Sequence, residues 1–237
     1  MINPKISNSF KKLSKEYNNK EHYPHIVFDD FLDPTLANVA ANELLWYSED
    51  LKNTPGDDHD DQVKKRSVTN LNQMPGSVAL ACTYFNGDVF VNYLRELTGI
   101  KDLVSDWTYE GGGCHFTYKG GRLGVHHDFN YTDSLGPKRL YRKVNLLVYL
   151  NKEWESDWGG SLELWKPDLS ESFKTIDVKF NRAVLFNIEN APHGHPHPLN
   201  CPEEECRRSL AFYYYSEEEP EGKLYNRAYW LRDGKLK

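Results

Sequence analysis

Six of the nine histidines fall between His115 and His197, and their neighbours decide what chemistry they can do. His126 and Asp128 sit two apart in the run Gly124-Val125-His126-His127-Asp128-Phe129. Along a strand, residues i and i+2 share a face, so His126 and Asp128 can grip one ion while His127 faces away. A histidine from a distant strand would complete a set of two imidazoles and one carboxylate. With positions left open, that set is diagnostic of non-haem Fe(II) oxygenases. The plainer alternative is an exposed histidine beside a turn aspartate.

The third imidazole has an obvious source in Ala191-Pro192-His193-Gly194-His195-Pro196-His197-Pro198, directly after the strand-like Arg182-Ala183-Val184-Leu185-Phe186. His193 lies nearest the strand end, beside a glycine that permits close backbone approach, and is the favoured ligand. His195 is the reserve, and a surface metal-scavenging tract is the competing reading. Further on, Arg207-Arg208-Ser209-Leu210-Ala211-Phe212-Tyr213-Tyr214-Tyr215 alternates, with Arg207, Ser209, Ala211, Tyr213 and Tyr215 on one face. A guanidinium holds a carboxylate bidentately and the Ser209 hydroxyl can share it, as a pocket strand would require. Otherwise Arg207 is a surface residue on an edge strand.

Read in order, five motifs together resemble the 2-oxoglutarate- and Fe(II)-dependent dioxygenases, and within them the prolyl 4-hydroxylase-like branch. They are His126-x-Asp128, Leu146-Leu147-Val148-Tyr149-Leu150-Asn151-Lys152-Glu153-Trp154, Gly159-Gly160-Ser161-Leu162-Glu163-Leu164, His193, and Arg207-x-Ser209. Gly111-Gly112-Gly113-Cys114-His115 and the run from Gly120-Gly121 to Asn130 look like bacterial and phage members. The resemblance covers residues 105–215 well, and before that only Phe31-Leu32-Asp33-Pro34 matches loosely.

The resemblance implies His126, Asp128 and His193 as iron ligands and Arg207 as partner of the distal carboxylate of 2-oxoglutarate. Ser209 stands where a small residue often follows. Tyr149 falls where a tyrosine hydrogen-bonds the same carboxylate, its alternative being a core tyrosine on a central strand. Tyr118, in the strand-like run 114–118, is added to the co-substrate residues. Arg142 stands where the hypoxia-factor enzymes place an arginine near the substrate. A carboxylate at Asp128 favours hydroxylation, because related halogenases carry a small residue there. The implied cofactors are Fe(II), 2-oxoglutarate and O2, with ascorbate a candidate reductant. The implied reaction yields succinate and CO2 and hydroxylates an unactivated C–H bond, most simply on a protein or peptide prolyl residue. A free amino acid, glycan or small metabolite is the alternative substrate. A non-enzymatic metal- or ligand-binding barrel is the alternative of another class.

These residues need a scaffold. After residue 105, runs at 114–118, 123–129, 142–150, 161–165, 173–178, 182–188 and 207–215 read as strands between turn signals, an antiparallel sandwich or barrel. The resemblance makes this a double-stranded β-helix, jelly-roll or cupin-like. The fold class is thus mainly β with flanking helices (α+β), with N-terminal helices packed on one face. Before residue 105, Asp33-Pro34 caps a helix running to about Trp46, and Asp88 opens another reaching about Thr98. Residues 1–20 read as a frayed arm or short surface helix, and 52–66, a turn signal and a charge run, as an exposed loop.

The 237 residues are expected to form a single domain: 1–104 a mostly helical support, 105–216 the catalytic core, 217–237 a C-terminal tail. That tail, with Lys223, Arg227, Arg232, Lys235 and Lys237, reads as a solvated segment docked by Tyr225, Tyr229 and Trp230, or as a cover over the barrel mouth. A net charge of −6 speaks against nucleic acid as partner. Apolar runs are too short to span a membrane, and the first residues contain no apolar signal segment. Cys201 and Cys206 read as unpaired thiols rather than a disulfide, and with few cysteines the expected compartment is the cytoplasm. His115, beside Gly113, is expected to be a satisfied core or surface histidine, its alternative being a residue that reaches the pocket mouth.

Overall fold

A computed structural model describes residues 1–7, 9–232 and 235–236. Its helices are α1 (Pro4–Ser7), α2 (Phe10–Asn18), α3 (Pro34–Leu51), α4 (Gly76–Asn86) and α5 (Asp88–Thr98). At the start of α3 the Asp33 carboxylate accepts from the Thr35 and Leu36 N–H groups, at 3.0 and 3.3 Å, with Pro34 at the first helical position. The helix outruns Trp46 because no breaker intervenes before Pro55. α5 buries Phe90, Val91, Leu94 and Leu97 on one face and stops at Gly99, whose φ of 83° suits a glycine. α4 carries no legible stripe, since Val78-Ala79-Leu80-Ala81-Cys82 is apolar all round. Among the described residues no helix is long and apolar enough to cross a membrane.

The strands are β1 (His25–Phe28), β2 (Gln62–Val68), β3 (Val104–Ser105), β4 (Gly113–His127), β5 (Tyr131–Thr132), β6 (Leu140–Tyr149), β7 (Leu162–Trp165), β8 (Ser172–Ile176), β9 (Arg182–Asn187), β10 (His193–His195), β11 (Cys206–Ser216), β12 (Tyr229–Arg232) and β13 (Lys235–Leu236). They pair antiparallel in the order β1-β9-β6-β11-β4-β10-β7-β8, with β2 and β12 also on β4. This is the double-stranded β-helix with helices on one face.

The two strands expected at 114–118 and 123–129 are halves of one long strand, β4. Gly120, at φ 74°, and Gly121 lie where it bends. A Cβ at Gly121 would come within 2.7 Å of the Tyr118 and Val63 carbonyl oxygens. The first half pairs with β11 on one edge and β2 on the other, and the second half meets β10. The expected loop 52–66 is corrected in its second part. From Gln62 the chain is strand β2, because Lys64-Lys65-Arg66 hides a pairing edge behind its charges. The tail takes the covering role: β12 pairs Tyr229 with His127 and Trp230 with His126. Lys237 lies outside the described residues.

One face of β11 turns Leu210, Phe212 and Tyr214 toward the helices, and the other turns Ala211, Tyr213 and Tyr215 into the barrel. The helix–sheet core centres on Phe85, with ring centroids 4.7 Å from Phe90, 5.0 Å from Phe212 and 5.7 Å from Phe31. Phe85→Ala is therefore expected to cost about 3–5 kcal/mol. Urea unfolding should show a lowered midpoint at unchanged slope.

Candidate active site

The end of β4 and the start of β10 are paired so that His126 faces His193, their rings 4.7 Å apart. Asp128 follows two residues after His126. Its Oδ1 lies 3.5 Å from His126 Nε2 and its Oδ2 3.5 Å from His193 Nε2. Nδ1 of His126 is 2.8 Å from the Gly124 carbonyl, and Nδ1 of His193 is 3.0 Å from that of Ala191. Carbonyl oxygens only accept, so each Nδ1 carries a proton and each Nε2, facing Asp128, is the nitrogen placed to ligate a metal. Burial pushes the His193 imidazole down to about 4, so the ring is neutral at physiological pH. Burial also opposes ionisation of Asp128, but Arg142, His193 and His126 outweigh it and hold the carboxyl well below the usual range. Two imidazoles and one carboxylate, their donor atoms all within 4.8 Å of one another, fit an Fe(II) ion.

The Asp128 carboxylate is held from behind. Its Oδ2 accepts from Asn145 Nδ2 at 2.8 Å and pairs with Arg142 Nη2 at 2.9 Å. Arg142 is only 1% exposed, its guanidinium 3.3 Å from the Tyr213 ring centroid and 4.8 Å from that of Phe129. Arg142, expected near the substrate, is packed directly behind the acid and is not among the residues that line the cavity.

The triad opens onto a cavity of about 160 Å³ whose wall includes Arg207 and Ser209. Arg207 is 5% exposed, and Nε donates to the Gly160 carbonyl at 2.9 Å. Nη1 reaches Ser209 Oγ at 3.3 Å and Nη2 the Tyr149 hydroxyl at 3.2 Å. These partners are all neutral, so the buried guanidinium keeps its charge for an anion entering the cavity. Tyr149 stands behind Arg207, fully buried, and burial raises its pKa.

Tyr118 is not part of this site. Its hydroxyl donates to the Ser48 carbonyl at 2.7 Å, on the helix side of β4. The cause is a change of parity along the strand. His126 and Leu123 of β4 face His193 and His195 of β10, three steps against two, so the face that meets the cavity switches between the halves. His115, Thr117, Leu123 and His126 line the cavity, whereas Tyr118 does not. His127 faces away and stacks on Tyr225 at 5.7 Å. His195 is in the cavity wall but outside the donor cluster, and His197 is a largely exposed residue beside Glu163. Cys201 and Cys206 are free thiols.

His115 is buried and satisfied, its Nε2 3.0 Å from the Gly111 carbonyl, and it also lines the cavity. Trp230 of the covering tail lines it as well, its ring 4.7 Å from that of His126. Sequence reasoning missed Lys65 of β2, a further wall residue, whose ammonium burial pulls down to about 8. Regular alternation from Gln62 points to Lys64 instead, so no signal within 62–68 marks Lys65.

Residues 108–215 match the model of the 2OG-Fe(II) oxygenase superfamily. No curated protein matches the sequence. Among solved structures, a prolyl 4-hydroxylase from Phytophthora capsici is 21% identical with a TM-score of 0.58, covering 90% of this chain. The chain spans 65% of that enzyme's length. A Trichoplax adhaerens prolyl hydroxylase, solved with a hypoxia inducible factor oxygen degradation domain peptide fragment, is 18% identical with a TM-score of 0.60, covering 91% of this chain and 94% of that one. A Pseudomonas putida prolyl-4-hydroxylase is 17% identical, TM-score 0.58, over 86% and 98% of the two chains. At these identities the likeness is one of fold. Over residues 108–215 the chain thus matches the 2OG-Fe(II) oxygenase superfamily model, it shares the fold of the prolyl 4-hydroxylases, and its two-histidine, one-carboxylate cluster is of the kind that would hold Fe(II) in such a domain.

Proposed function

We propose that the chain hydroxylates a prolyl residue of a protein or peptide. In this reading His126, Asp128 and His193 hold Fe(II), and Arg207, with Ser209 beside it and Tyr149 behind it, holds the distal carboxylate of 2-oxoglutarate. The observation that carries it is the size and lining of the cavity. About 160 Å³ falls well short of the ~300 Å³ or more that encloses a whole drug-sized ligand. Beside the triad its wall is aromatic, from Phe129, Tyr213 and Trp230. Shared with 2-oxoglutarate, such a space leaves room for no more than a small apolar side chain or ring presented on a chain whose bulk stays outside. Prolyl hydroxylases are also among the solved structures of the same fold, one of them with a peptide.

Held by His126, Asp128 and His193, Fe(II) would supply the O2 activation that couples decarboxylation of 2-oxoglutarate, to succinate and CO2, with insertion of the second oxygen atom into a C–H bond. The protein's part is positioning. The Gly124 and Ala191 carbonyls fix the two imidazoles, and Arg142 and Asn145 fix the carboxylate. Arg207 aligns the co-substrate, and Trp230 excludes water from the His126 side. No side chain is required as a general acid or base. The reading takes 1–237 as one unit, with 1–104 as support and 217–237 as cover. Four free, buried thiols suit a reducing compartment, here taken to be the cytoplasm.

Anaerobically iron-loaded protein given 2-oxoglutarate and air should release succinate, and a prolyl peptide panel should contain products heavier by one oxygen atom by mass spectrometry. Absence of both turnover and 2-oxoglutarate binding would sink the reading. Metal titration should find no binding in His126→Ala or Asp128→Ala, while His127→Ala keeps it. Arg142→Leu is expected to weaken metal affinity about 10- to 100-fold, as for other groups that orient a ligand.

A further inference from the structure

β2 lies outside the family-matched segment, yet one of its lysines reaches the cavity. Gln62 lines the wall, so regular alternation would bring Lys64 there and turn Lys65 away. Lys64 instead adopts a left-handed backbone, φ 49°, and the register against β4 slips between Val63 and Lys65. A bulge of this kind re-aims the following side chain. Lys65 lines the cavity and Lys64 is exposed. A non-glycine residue in this region is uncommon and persists where surrounding structure enforces it.

Register fixes where Lys65 arrives. Lys65 and Arg207 both lie opposite Thr117, one on each edge of β4. Their backbones are thus two strand spacings apart, about 10 Å, and two long cationic side chains enter over one threonine. All three residues line the cavity. His195 lines it too, 4% exposed, with a buried Nδ1 that has no hydrogen-bond partner. Asp128 is the one acidic residue in the cavity wall among the described residues, and its Oδ2 is already taken by Arg142 and Asn145. The cavity therefore holds more positive charge and more free donors than its own acid can satisfy.

We propose that Lys65 is a second cation of the 2-oxoglutarate pocket, gripping the distal carboxylate jointly with Arg207 and selecting a dicarboxylic over a monocarboxylic 2-oxo acid. This rests on the reading of Arg207 given above. A carboxylate offers about four lone-pair sites. Arg207 meets one pair from β11 and Lys65 meets the others from β2, so the anion is held from both sides of β4.

Calorimetric titration of the Zn(II)-loaded chain, where no turnover occurs, with 2-oxoglutarate and with 2-oxopentanoate tests this. The second acid has the same carbon chain without the distal carboxylate. Lys65→Met is expected to weaken 2-oxoglutarate binding about 10- to 100-fold, the range of one charge-assisted hydrogen bond, and to leave 2-oxopentanoate unchanged. Lys65→Gln, neutral and similar in length, should do the same, and Lys65→Arg should retain most of the affinity. Unchanged 2-oxoglutarate affinity in both neutral variants, or equal weakening for the two acids, overturns the proposal. Arg207→Met separates the two readings. If it abolishes discrimination while the Lys65 variants keep it, Lys65 alone is wrong; if it leaves discrimination intact, the reading of Arg207 falls and this proposal with it.

Discussion

One strand carries both ends of the cavity, and the whole site depends on how β4 bends between them. Its first half carries Thr117 between the strands that bring Arg207 and Lys65. Its second half carries His126 against His193. Gly120 turns the backbone at a φ of 74°, and Gly121 follows where a Cβ would collide with neighbouring carbonyls. Gly194 plays the same part across the interface, since a Cβ there would lie 2.6 Å from the Gly124 carbonyl oxygen. Anion end and metal end of the cavity are thereby fixed by one continuous backbone, and their separation cannot drift.

Charge is placed in the barrel at a cost, and each buried charge is answered differently. Asp128 has Arg142 as its counter-ion, and Arg142 is packed against the rings of Tyr213 and Phe129, so this pair is neutralised within the fold. Arg207 has only neutral hydrogen-bond partners among the described residues. The first arrangement makes a rigid ligand. The second leaves a charge whose best partner comes from solution.

Much of this was legible in the sequence where a simple period governs. Parity placed His126 and Asp128 on one side and His127 on the other, and it sorted β11 into a pocket face and a core face. Asp33-Pro34 marked the start of α3. The failures share one physical cause, a local break in the period. The switch between Leu123 and His126 put Tyr118 on the wrong face, and the left-handed Lys64 turned a charge run into a cavity wall. Arg142 lies next to the site as expected, but burial against two aromatic rings made it a support for Asp128. α4 escaped notice because a helix apolar all round has no stripe to read.

The tail strand has a practical consequence. Trp230 sits with its ring 4.7 Å from His126, paired into place by β12. An indole so near an open-shell transition ion loses its excited state efficiently. The chain therefore contains its own optical gauge: the fluorescence of this one tryptophan would report whether the centre is filled.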